Sequence, residues 1–452
     1  MVDSGVQHTM RITVVGGAGY VGLTTAVCLA AKGHEVFCVD KDNEKVLKIG
    51  KGIPVIYEQG LEELLTEVLS KKALIPTLDL DTAVQNSDVS FICVGTPCSD
   101  DGCINLDQIK DVAEQIGCAL RKRVGYHVVV VKSTVVPGTT ENVVLPIIEK
   151  FSGKKVRTDF GVCMNPEFLK EGRAINDFMF PKNAGIVIGA LDQKSGDLIA
   201  EIYEDFDSEI MRTSIRAAEM IKYARNSYLA KDVSFSNEIA NICRRLGIDY
   251  LDVKKGMELD ARIGRGRFLD AGAGFGGSCF PKDVTALTAK AKECGISPIL
   301  LDATLEVNAA QPYELVRLTK DVVGNPLQGK KIAILGLAFK PGTDDMREAP
   351  SVKIVESLLR EGCKLRVYDC KAVNNAKKIF GAKVTYAKTA EDALKSADAC
   401  VIVTEWPEFS NPKLYTSMRG RVIIDGRRVL DPAGLSSGFK YHAIGFPNAI
   451  ET

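Results

Sequence analysis

Residues 11–22 read RITVVGGAGYVG. The apolar run before the glycines predicts a buried parallel strand, and Gly17, Gly19 and Gly22 follow it in GxGxxG spacing at the start of an alanine-rich helix. The first glycine permits a tight turn, the second admits a pyrophosphate, and the third lets the helix pack closely on the strand. The stretch therefore predicts the first βα unit of a dinucleotide-binding domain, with the cofactor against Gly17, Ala18, Gly19, Tyr20, Val21 and Gly22.

A second predicted strand, residues 35–39, ends on Asp40, 18 residues after Gly22. A carboxylate at this place accepts hydrogen bonds from the adenosine ribose and repels a 2′-phosphate, so Asp40 favours NAD over NADP. Lys41 acts in the opposite direction, since a cation there could meet a 2′-phosphate. With strand, glycines, helix and terminal acid together, a tight turn without a ligand is the weaker alternative.

Strand and helix patterns continue to alternate to about residue 211, which predicts a doubly wound α/β domain. Two apolar strands, 89–94 and 127–131, are followed by the short polar runs 95–97 and 132–134. The carboxyl ends of parallel strands form the ligand crevice of such domains, so Thr96 and Thr134 are expected to lie there.

A helical pattern without internal proline or glycine runs from Ser214 to about Gly247. Its length exceeds that of an ordinary globular helix and predicts a connecting spine through which two copies of the chain form a homodimer. A second βαβ pattern begins at 331–336, but its turn, GLAFK at 336–340, lacks the glycine fingerprint. The predicted fold class is α/β, with two Rossmann-like doubly wound domains joined by a long central helix and helical spine. The predicted segments are 1–212, 213–313 and 314–452.

The composition narrows the function classes. Lys plus Arg equals Asp plus Glu at 58 each, so the charge points to neither nucleic acid nor an anionic membrane as a partner. The 13 cysteines are odd in number and lack paired metal-ligand spacing, which predicts reduced thiols, no metal site and a cytoplasmic location. The sequence shows no signal peptide and no apolar run of membrane-spanning length, and the residues before Arg11 are expected to be an extension outside the fold.

The run 274–283, GFGGSCFPKD, places one cysteine between small residues and a predicted helix. Small residues let a ligand approach Cys279, and Pro281 suits a first helical turn. The helix N-terminus and Lys282 favour a thiolate, which is the form that attacks carbonyls. The run predicts a catalytic nucleophile; the alternative is a small buried cysteine, the commoner role of this residue type.

In their order along the chain, several motifs resemble the UDP-glucose/GDP-mannose dehydrogenase family. They are GAGYVG at 17–22, KST at 132–134, NPEFLKEG at 165–172, Lys222 with Asn226, the run 274–283, Phe339-Lys340 and DGRR at 425–428. The resemblance extends from Arg11 to the Arg427 region. The letters GGSC at 276–279 are most similar to the members that oxidise UDP-glucose, because N-acetylated mannosamine dehydrogenases typically carry Gly-Gly-His-Cys. The resemblance implies that a sugar C6 alcohol is oxidised to a carboxylate with two NAD, while the thiol holds the aldehyde and then a thioester.

Two pairs of residues, each four apart, fit this chemistry. Lys222 and Asn226 share one helix face and could stabilise an oxyanion; without Cys279 they would be read as an exposed helix face. Glu167 and Glu171 could supply the base for thioester hydrolysis and a contact at the nicotinamide end, and a solvated pair of acids is the alternative.

The resemblance implies the remaining roles. Asp283 works with the lysine to orient a water molecule, where capping its own helix is the alternative, and Thr134 holds the catalytic water. Further cofactor contacts are Lys45, Thr96, Thr134, Glu171, Lys282 and Arg347. Substrate contacts are Glu167, Phe168, Leu169, Lys222, Asn226, Arg262, Phe275, Gly276, Phe339, Lys340 and Arg427. Arg262 matches a residue that reaches the sugar site of the neighbouring subunit, but its loop, 262–268, has one residue more than the common family spacing and two additional arginines.

Three readings of the function stay open. The first is oxidation of UDP-glucose. The second is oxidation of GDP-mannose or of an N-acetylated UDP-hexose, because a few pocket contacts settle the hexose. The third is a nucleotide-binding module without turnover, against which the complete set of Cys279, Lys222, Asn226, Asp283 and Glu167 argues.

Overall fold

The computed structural model describes residues 9–99, 101–264 and 268–447. The chain divides into two compact units, unit 1 (Met1–Arg225) and unit 2 (Asn226–Thr452), and the boundary falls inside one long helix. The division into three segments therefore stays a prediction. The arginines at 265 and 267 lie outside the described residues.

Unit 1 is built on an eight-stranded sheet. Its strands are β1 (Arg11–Val15), β2 (Glu35–Val39), β3 (Leu74–Thr77), β4 (Val89–Ile92), β5 (His127–Val131), β6 (Phe160–Met164), β7 (Ile186–Ala190) and β8 (Ile210–Thr213). They lie in the order β3-β2-β1-β4-β5-β6-β7-β8, so the strand order reverses between β1 and β4, although these two strands are parallel. The predicted doubly wound topology is thus confirmed, and ligands of such sheets bind at this reversal. One pair departs from the parallel pattern, because β6 and β7 run antiparallel.

The helices of unit 1 cover both faces of the sheet. They are α1 (Tyr20–Ala31), α2 (Asn43–Gly50), α3 (Leu61–Ser70), α4 (Leu80–Gln85), α5 (Asp107–Lys122), α6 (Leu145–Ser152), α7 (Ala174–Met179), α8 (Gln193–Ile202) and the start of α9 (Ile215–Arg245). Strand β5 shows why its sequence is continuously apolar: Val128 and Val130 pack into one core, and Val129 and Val131 into the other. Met10 belongs to the first core and is buried. The prediction that all residues before Arg11 lie outside the fold is therefore wrong for Met10, because an apolar side chain next to β1 can pack into this core. Residues 1–8 lie outside the described residues.

Unit 2 contains a second, fully parallel sheet. Its strands are β9 (Lys331–Leu335), β10 (Lys364–Tyr368), β11 (Thr385–Tyr386), β12 (Ala399–Ile402), β13 (Val422–Asp425) and β14 (Lys440–Ala443), in the order β11-β10-β9-β12-β13-β14. Its helices are α10 (Tyr250–Glu258), α11 (Phe280–Glu293), α12 (Ile299–Val323), α13 (Pro350–Arg360), α14 (Val373–Phe380) and α15 (Ala390–Leu394). The second Rossmann-like half predicted from the sequence is confirmed.

Helix α9 has 31 residues, close to the predicted span of 214–247. In the ranges that the structure describes, no helix is both long enough and apolar enough to cross a membrane.

Candidate active site

The turn after β1 is made of bare backbone. The N–H groups of Gly16 and Gly17 donate to the carbonyl oxygen of Val39 at 3.0 and 2.8 Å. A Cβ atom on Gly17 would lie 2.5 Å from the Sγ of Cys38, and one on Gly22 would lie 2.1 Å from the carbonyl oxygen of Gly16. Only glycine fits at these two positions, and α1 can therefore begin directly against the turn.

Asp40 ends β2 beside this turn. Its Oδ2 accepts from the N–H of Ala18 at 2.9 Å, and its Oδ1 accepts from the N–H of Asp42 at 3.1 Å. The carboxylate is half-buried and lines a cleft of about 370 Å³ with Gly16, Gly19 and Lys45. A carboxylate has about four acceptor positions, so Asp40 keeps capacity for a ligand hydroxyl. Bare glycines and an acid with unused capacity fit an NAD ribose and pyrophosphate.

The polar runs at the ends of β4 and β5 contact each other, as expected of a ligand crevice. Thr96 donates its hydroxyl to the carbonyl oxygen of Thr134 at 2.7 Å. The hydroxyl of Ser133 donates to the carbonyl oxygen of Val94, also at 2.7 Å. These bonds join the two strand ends in unit 1.

The loop 165–173, between β6 and α7, carries a buried ion pair. Lys222 donates from Nζ to Oε1 of Glu167 at 2.7 Å and to the carbonyl oxygen of Glu167 at 2.8 Å. The N–H of Leu169 donates to Oε2 of Glu167 at 2.6 Å. Burial raises the pKa of Glu167, but Lys222, the N–H of Leu169 and the charge of Lys132 together outweigh it and hold this pKa below its usual range. While the pair holds, Glu167 is ionised but a weak base.

The same loop presents an aromatic ring to cations. The guanidinium of Arg225 lies 3.7 Å from the ring centroid of Phe168, and Nζ of Lys222 lies 5.7 Å from it. Arg225 also donates to the carbonyl oxygen of Ala184 at 2.8 Å. Phe168 and Lys222, both predicted substrate contacts, are thus close together in unit 1, with the half-buried Leu169 and Glu171 in the same loop.

In unit 2, Cys279 is the residue that immediately precedes α11. It is half-buried, Pro281 lies in the first turn of the helix, and Oγ of Ser278 lies 3.5 Å from Sγ of Cys279. The thiol therefore belongs to the positive end of a 14-residue helix, where an anion is stabilised.

Asp283, in the first turn of this helix, contacts two other predicted site residues. Its side chain is 1% exposed, and Oδ2 accepts from Nδ2 of Asn226 at 2.6 Å. Its Oδ1 lies 2.6 Å from Nζ of Lys282. The predicted alternative, a helix cap, is not the role of this carboxylate, because both of its oxygens contact side chains.

The loop 272–277, which leads to Cys279, is held through its backbone by amide side chains. Asn308 accepts from the N–H of Phe275 at 2.7 Å and donates to its carbonyl oxygen at 3.0 Å. Gln311 donates to the carbonyl oxygen of Gly272 at 2.7 Å, and Asn237 accepts from the N–H of Gly272 at the same distance. Helices α9 and α12 thus position the loop.

Two glycines of this loop allow close packing on the second sheet's turn region. A Cβ on Gly276 would lie 2.4 Å from the carbonyl oxygen of Glu348, and one on Gly277, which has φ of +84°, would lie 2.8 Å from the ring of Phe339. The ammonium of Lys340 lies 5.6 Å from the centroid of the same ring. Phe275, Gly276, Phe339 and Lys340 are therefore brought to one region of unit 2.

The three predicted arginines differ in their surroundings. Arg427 donates to the carbonyl oxygens of Val403 at 2.9 Å and Gly274 at 3.1 Å, so it joins the end of β12 to the glycine loop. Arg347 pairs with Asp345 at 2.7 Å, and its carbonyl oxygen accepts from the N–H of Gly277. The side chain of Arg262 is 90% exposed and pairs with Asp260 at 2.6 Å. The structure brings Arg427 to the glycine loop but leaves the guanidinium of Arg262 in solvent.

Comparison with known proteins identifies the family to which these site residues belong. Sequence models of the UDP-glucose/GDP-mannose dehydrogenase family match three segments: the NAD binding domain at residues 10–207, the central domain at 216–310 and the UDP binding domain at 333–432. The chain belongs to the UDP-glucose/GDP-mannose dehydrogenase family. It is thus an oxidoreductase that uses NAD, as the resemblance of its motifs implied.

Individual members of the family match nearly the whole chain. The UDP-glucose 6-dehydrogenase of Haloferax volcanii is 41% identical over 93% of this chain and 97% of its own length. The GDP-mannose 6-dehydrogenase of Pseudomonas aeruginosa is 44% identical over 80% of this chain and 81% of its own length. A solved structure of a UDP-glucose dehydrogenase from Pyrobaculum islandicum covers 99% of this chain and 100% of its own, with a TM-score of 0.91 and 37% identity. The Rossmann-like fold is that of this family.

Sequence reasoning missed one buried acid of this family member. Glu58 accepts from the N–H groups of Gly172 and Ala174, both at 2.8 Å, and from the hydroxyl of Tyr20. Burial and the carboxylate of Glu58 raise the pKa of Tyr20. Tyr20 was predicted to touch the cofactor, yet its hydroxyl joins α1 to the loop that carries Glu167 and Glu171. A loop acid without periodic neighbours offers no sequence signal for such a contact.

The anchoring amides of unit 2 were missed for a related reason. Asn308 and Gln311 are three apart on a helix and so share one face, and polar residues on a helix face usually indicate that the face is solvated. Among the described residues of this family member, no group of three or more His, Cys, Asp or Glu could hold a metal ion.

Proposed function

We propose that this chain oxidises the C6 alcohol of UDP-glucose to the carboxylate of UDP-glucuronate, with two NAD reduced for each sugar. The observation that carries the proposal is Cys279 at the N-terminus of α11, beside Asp283 with its partners Asn226 and Lys282. A chain that only binds nucleotides has no use for a thiol in this setting. NAD supplies the hydride acceptor, and bare glycines with Asp40 fit it in unit 1.

The protein's residues hold the reacting carbon through both oxidations. Loss of a first hydride to NAD and of the hydroxyl proton turns the C6 alcohol into an aldehyde. The thiolate of Cys279 adds to this aldehyde, so a C–S bond forms and the carbonyl oxygen becomes an alkoxide that takes a proton. Loss of a second hydride and of that proton leaves a thioester. Water then attacks the carbonyl carbon, the C–S bond breaks, and the thiolate leaves with the carboxylate as product.

We assign the proton transfers and charge stabilisation to the buried polar residues. The amide of Asn226 and the ammonium of Lys222 stabilise the oxyanion, and Asp283 accepts a proton with Lys282 as its partner. Glu167 accepts the proton of the hydrolytic water, with Thr134 as that water's holder. The ion pair of Glu167 with Lys222 must weaken for this step, because the lysine depresses the pKa of the carboxyl.

We assign the nucleotide sugar to unit 2 through side chains. Phe339 and Lys340 follow β9, Phe275 and Gly276 lie in the glycine loop, and Arg427 bonds that loop. A uridine diphosphate requires cations and hydrogen bonds, which these residues offer. Arg262 and Arg347 remain predicted contacts of the substrate and the cofactor.

GDP-mannose is the second candidate substrate. The 44% identity to a GDP-mannose 6-dehydrogenase over 80% of this chain favours it. The residues of the thiol step are common to both candidates, so they do not discriminate between the two.

We also propose that two copies of the chain pair through α9. Apolar side chains lie seven residues apart on this helix and are exposed: Tyr228 at 55%, Phe235 at 45% and Ile242 at 48%. Such a row suits an identical row on a second copy. Light scattering should give the mass of a dimer or of a multiple of it, and Phe235→Glu should shift the mass towards the monomer.

We further propose a cytoplasmic location and the three-domain division 1–212, 213–313 and 314–452. All 13 cysteines lie in the described residues and none is in a disulfide, which suits a reducing compartment. Cell fractionation tests the location. Limited proteolysis tests the division, which requires cleavage near 213 and 314.

A panel of nucleotide sugars tests the function. UDP-glucose, GDP-mannose and N-acetylated UDP-hexoses are each incubated with NAD, and the NADH formed is counted per sugar consumed. We expect two NADH per UDP-glucose and no trapped free aldehyde. A higher kcat/KM for GDP-mannose would make the second candidate the function, and turnover of no sugar would leave a binding module. One NADH per sugar with released aldehyde would remove Cys279 from the mechanism.

A further inference from the structure

Lys132 is a buried cation that none of these steps uses. It follows β5, its side chain is 3% exposed, and Nζ donates to Oδ1 of Asn165 at 2.9 Å. The ring centroids of Phe91, Phe178 and Tyr203 lie 5.7–6.0 Å from the ammonium. Within the described ranges no carboxylate pairs with it, in contrast to Lys222, which pairs with Glu167.

A charge in this environment is costly to the fold. Burial disfavours an ammonium without a counter-ion, and it lowers the pKa of Lys132 to about 8. Aromatic faces compensate only in part, since they attract a cation weakly compared with a carboxylate. A residue that opposes stability in this way calls for a role in function.

The hydrogen bond of Lys132 leads to the loop 165–173. Oδ1 of Asn165 also accepts from the hydroxyl of Tyr203 at 2.6 Å, and Nδ2 donates to the carbonyl oxygen of Val187 at 2.8 Å. Asn165 is therefore fixed at the start of the loop, and Glu167 follows two residues later. Lys132, Asn165 and Glu167 also line one small cavity of about 40 Å³, which has room for a few water molecules.

We propose that Lys132 is a positioning residue for thioester hydrolysis: through Asn165 it fixes the loop that carries Glu167, and its charge keeps that carboxylate ionised. The inference rests on the proposed function, in which Glu167 accepts the proton of the hydrolytic water. Lys222 is the closer cation, and it must loosen its contact with Glu167 in that step. Lys132 then remains as the buried positive charge beside the cavity.

This role separates the two parts of the reaction. Both hydride transfers precede hydrolysis and do not require Glu167 as a base. A fault confined to Glu167 therefore allows two NADH per active site to form rapidly, after which the thioester accumulates on Cys279. Rapid mixing with NAD resolves this burst from the later turnover, and the sugar used is the one that the wild-type protein oxidises. A failure of UDP-glucose to react would thus correct the substrate but leave this test intact.

The main variant is Lys132→Met, which keeps the length of the side chain and removes its charge. We expect the burst to keep its rate and amplitude, and the turnover after it to fall about 10–100-fold, because a misplaced group in an active site costs that much. The Tm should not fall, since an uncompensated buried charge is removed. A merely structural lysine would instead lower the Tm, the burst and the turnover together.

Tyr203→Phe is the matched control, because it removes the other hydrogen bond to Oδ1 of Asn165 and retains the charge. Its turnover should stay within about threefold of wild type. Wild-type turnover after the burst in Lys132→Met, or an equal loss of burst and turnover, would overturn the proposal. If Lys132→Met does not fold, the same measurement on Asn165→Ala decides: a preserved burst with slow turnover supports the proposal, and an equal loss of both overturns it.

Discussion

The turns after the first strand of each sheet share one backbone frame. Gly16 and Gly336 both have positive φ, +82° and +90°, and each donates its N–H to the carbonyl oxygen at the end of the next strand. In both turns the acid that follows that strand, Asp40 or Asp369, accepts from an alanine N–H at 2.9 or 3.0 Å. Gly17 and Gly19 of the first turn are replaced in the second by a leucine and a phenylalanine at 337 and 339.

The two acids differ in how much of their hydrogen-bonding capacity the fold uses. Asp40 is half-buried and has two backbone donors, whereas Asp369 is 2% exposed and accepts from four backbone N–H groups and from Nε1 of Trp406. Asp369 therefore has a structural task, and Asp40 can serve a ligand. In the proposed function, one backbone frame serves binding through bare amides in the first unit and through side chains such as Lys340 in the second.

Removing the thiol tests whether the two units can bind their ligands without the nucleophile. Cys279→Ser should bind NAD and the sugar nucleotide as before, while steady-state turnover falls by about a thousandfold, because an alkoxide leaves an ester far less readily than a thiolate leaves a thioester. Calorimetric titration measures the binding, and NADH absorbance measures the rate. Turnover close to wild type would show that Cys279 is a structural residue.

Removing the cation of the second turn tests the division of ligands. Lys340→Ala should weaken UDP-glucose binding by about 10–100-fold through a lost charge-assisted hydrogen bond, and leave NAD affinity unchanged. Lys364→Ala is the control, because it removes an exposed lysine at the start of β10. Loss of NAD affinity with unchanged UDP-glucose affinity would reverse the assignment of the two units.

Exchanging the two acids for alanine sharpens the contrast between them. Asp40→Ala should weaken NAD by about tenfold and narrow the preference over NADP, since two ribose hydroxyls lose their acceptor. Asp369→Ala should leave NAD affinity unchanged and lower the Tm by several degrees, because five donors lose their partner. Equal effects of the two substitutions on NAD affinity would contradict the comparison.

The smallest expected effect concerns acid. Burial lowers the pKa of His127 to about 3, well below its usual 6.5. The unfolded chain therefore binds a proton between these values and the folded protein does not, so the stability contributed by neutral His127 is complete above pH 6.5 and lost as the pH falls below it. The contribution of His127 to the free energy of unfolding should drop by about 1 kcal/mol between pH 7.5 and pH 6.

Urea unfolding at a series of pH values measures this slope. His127→Gln should reduce it, because the variant has no group to titrate there. An unchanged slope in that variant would assign the acid sensitivity to His34 and His442, whose pKa values burial also lowers.

Elements with a strong local pattern could be predicted from the sequence. Strand β5 was predicted over 127–131 and is observed as His127–Val131, because both of its faces are covered and the apolar run has no interruption. The strand predicted at 89–94 ends at Ile92, since residues 93 and 94 already belong to the ligand crevice. The antiparallel pairing of β7 could not be predicted, because the direction of this strand depends on the path of the segment 165–185, which includes α7, rather than on the strand itself.

The candidate site likewise contains residues that a local motif reveals and contacts that only the folded chain creates. Cys279 and the glycines are recognisable because a motif of a few residues carries their chemistry. Glu167 and Lys222 were both named, but their ion pair joins residues 55 positions apart and no local pattern records it. Glu58 lies 114 positions from Gly172 and Asn308 lies 33 from Phe275, so these contacts follow only from the folded chain.

The amide anchors of the loop 272–277 have a consequence for how this enzyme can change over generations. Asn237, Asn308 and Gln311 hold the main chain of this loop, whose own residues are four glycines and the buried Ala273 and Phe275. A Cβ atom on any of these four glycines would lie less than 3.0 Å from a neighbouring atom, so a substitution inside the loop would displace the chain that leads to Cys279. Selection for a new hexose therefore has to act on positions outside this loop, while the loop and its amide anchors keep the nucleophile in place.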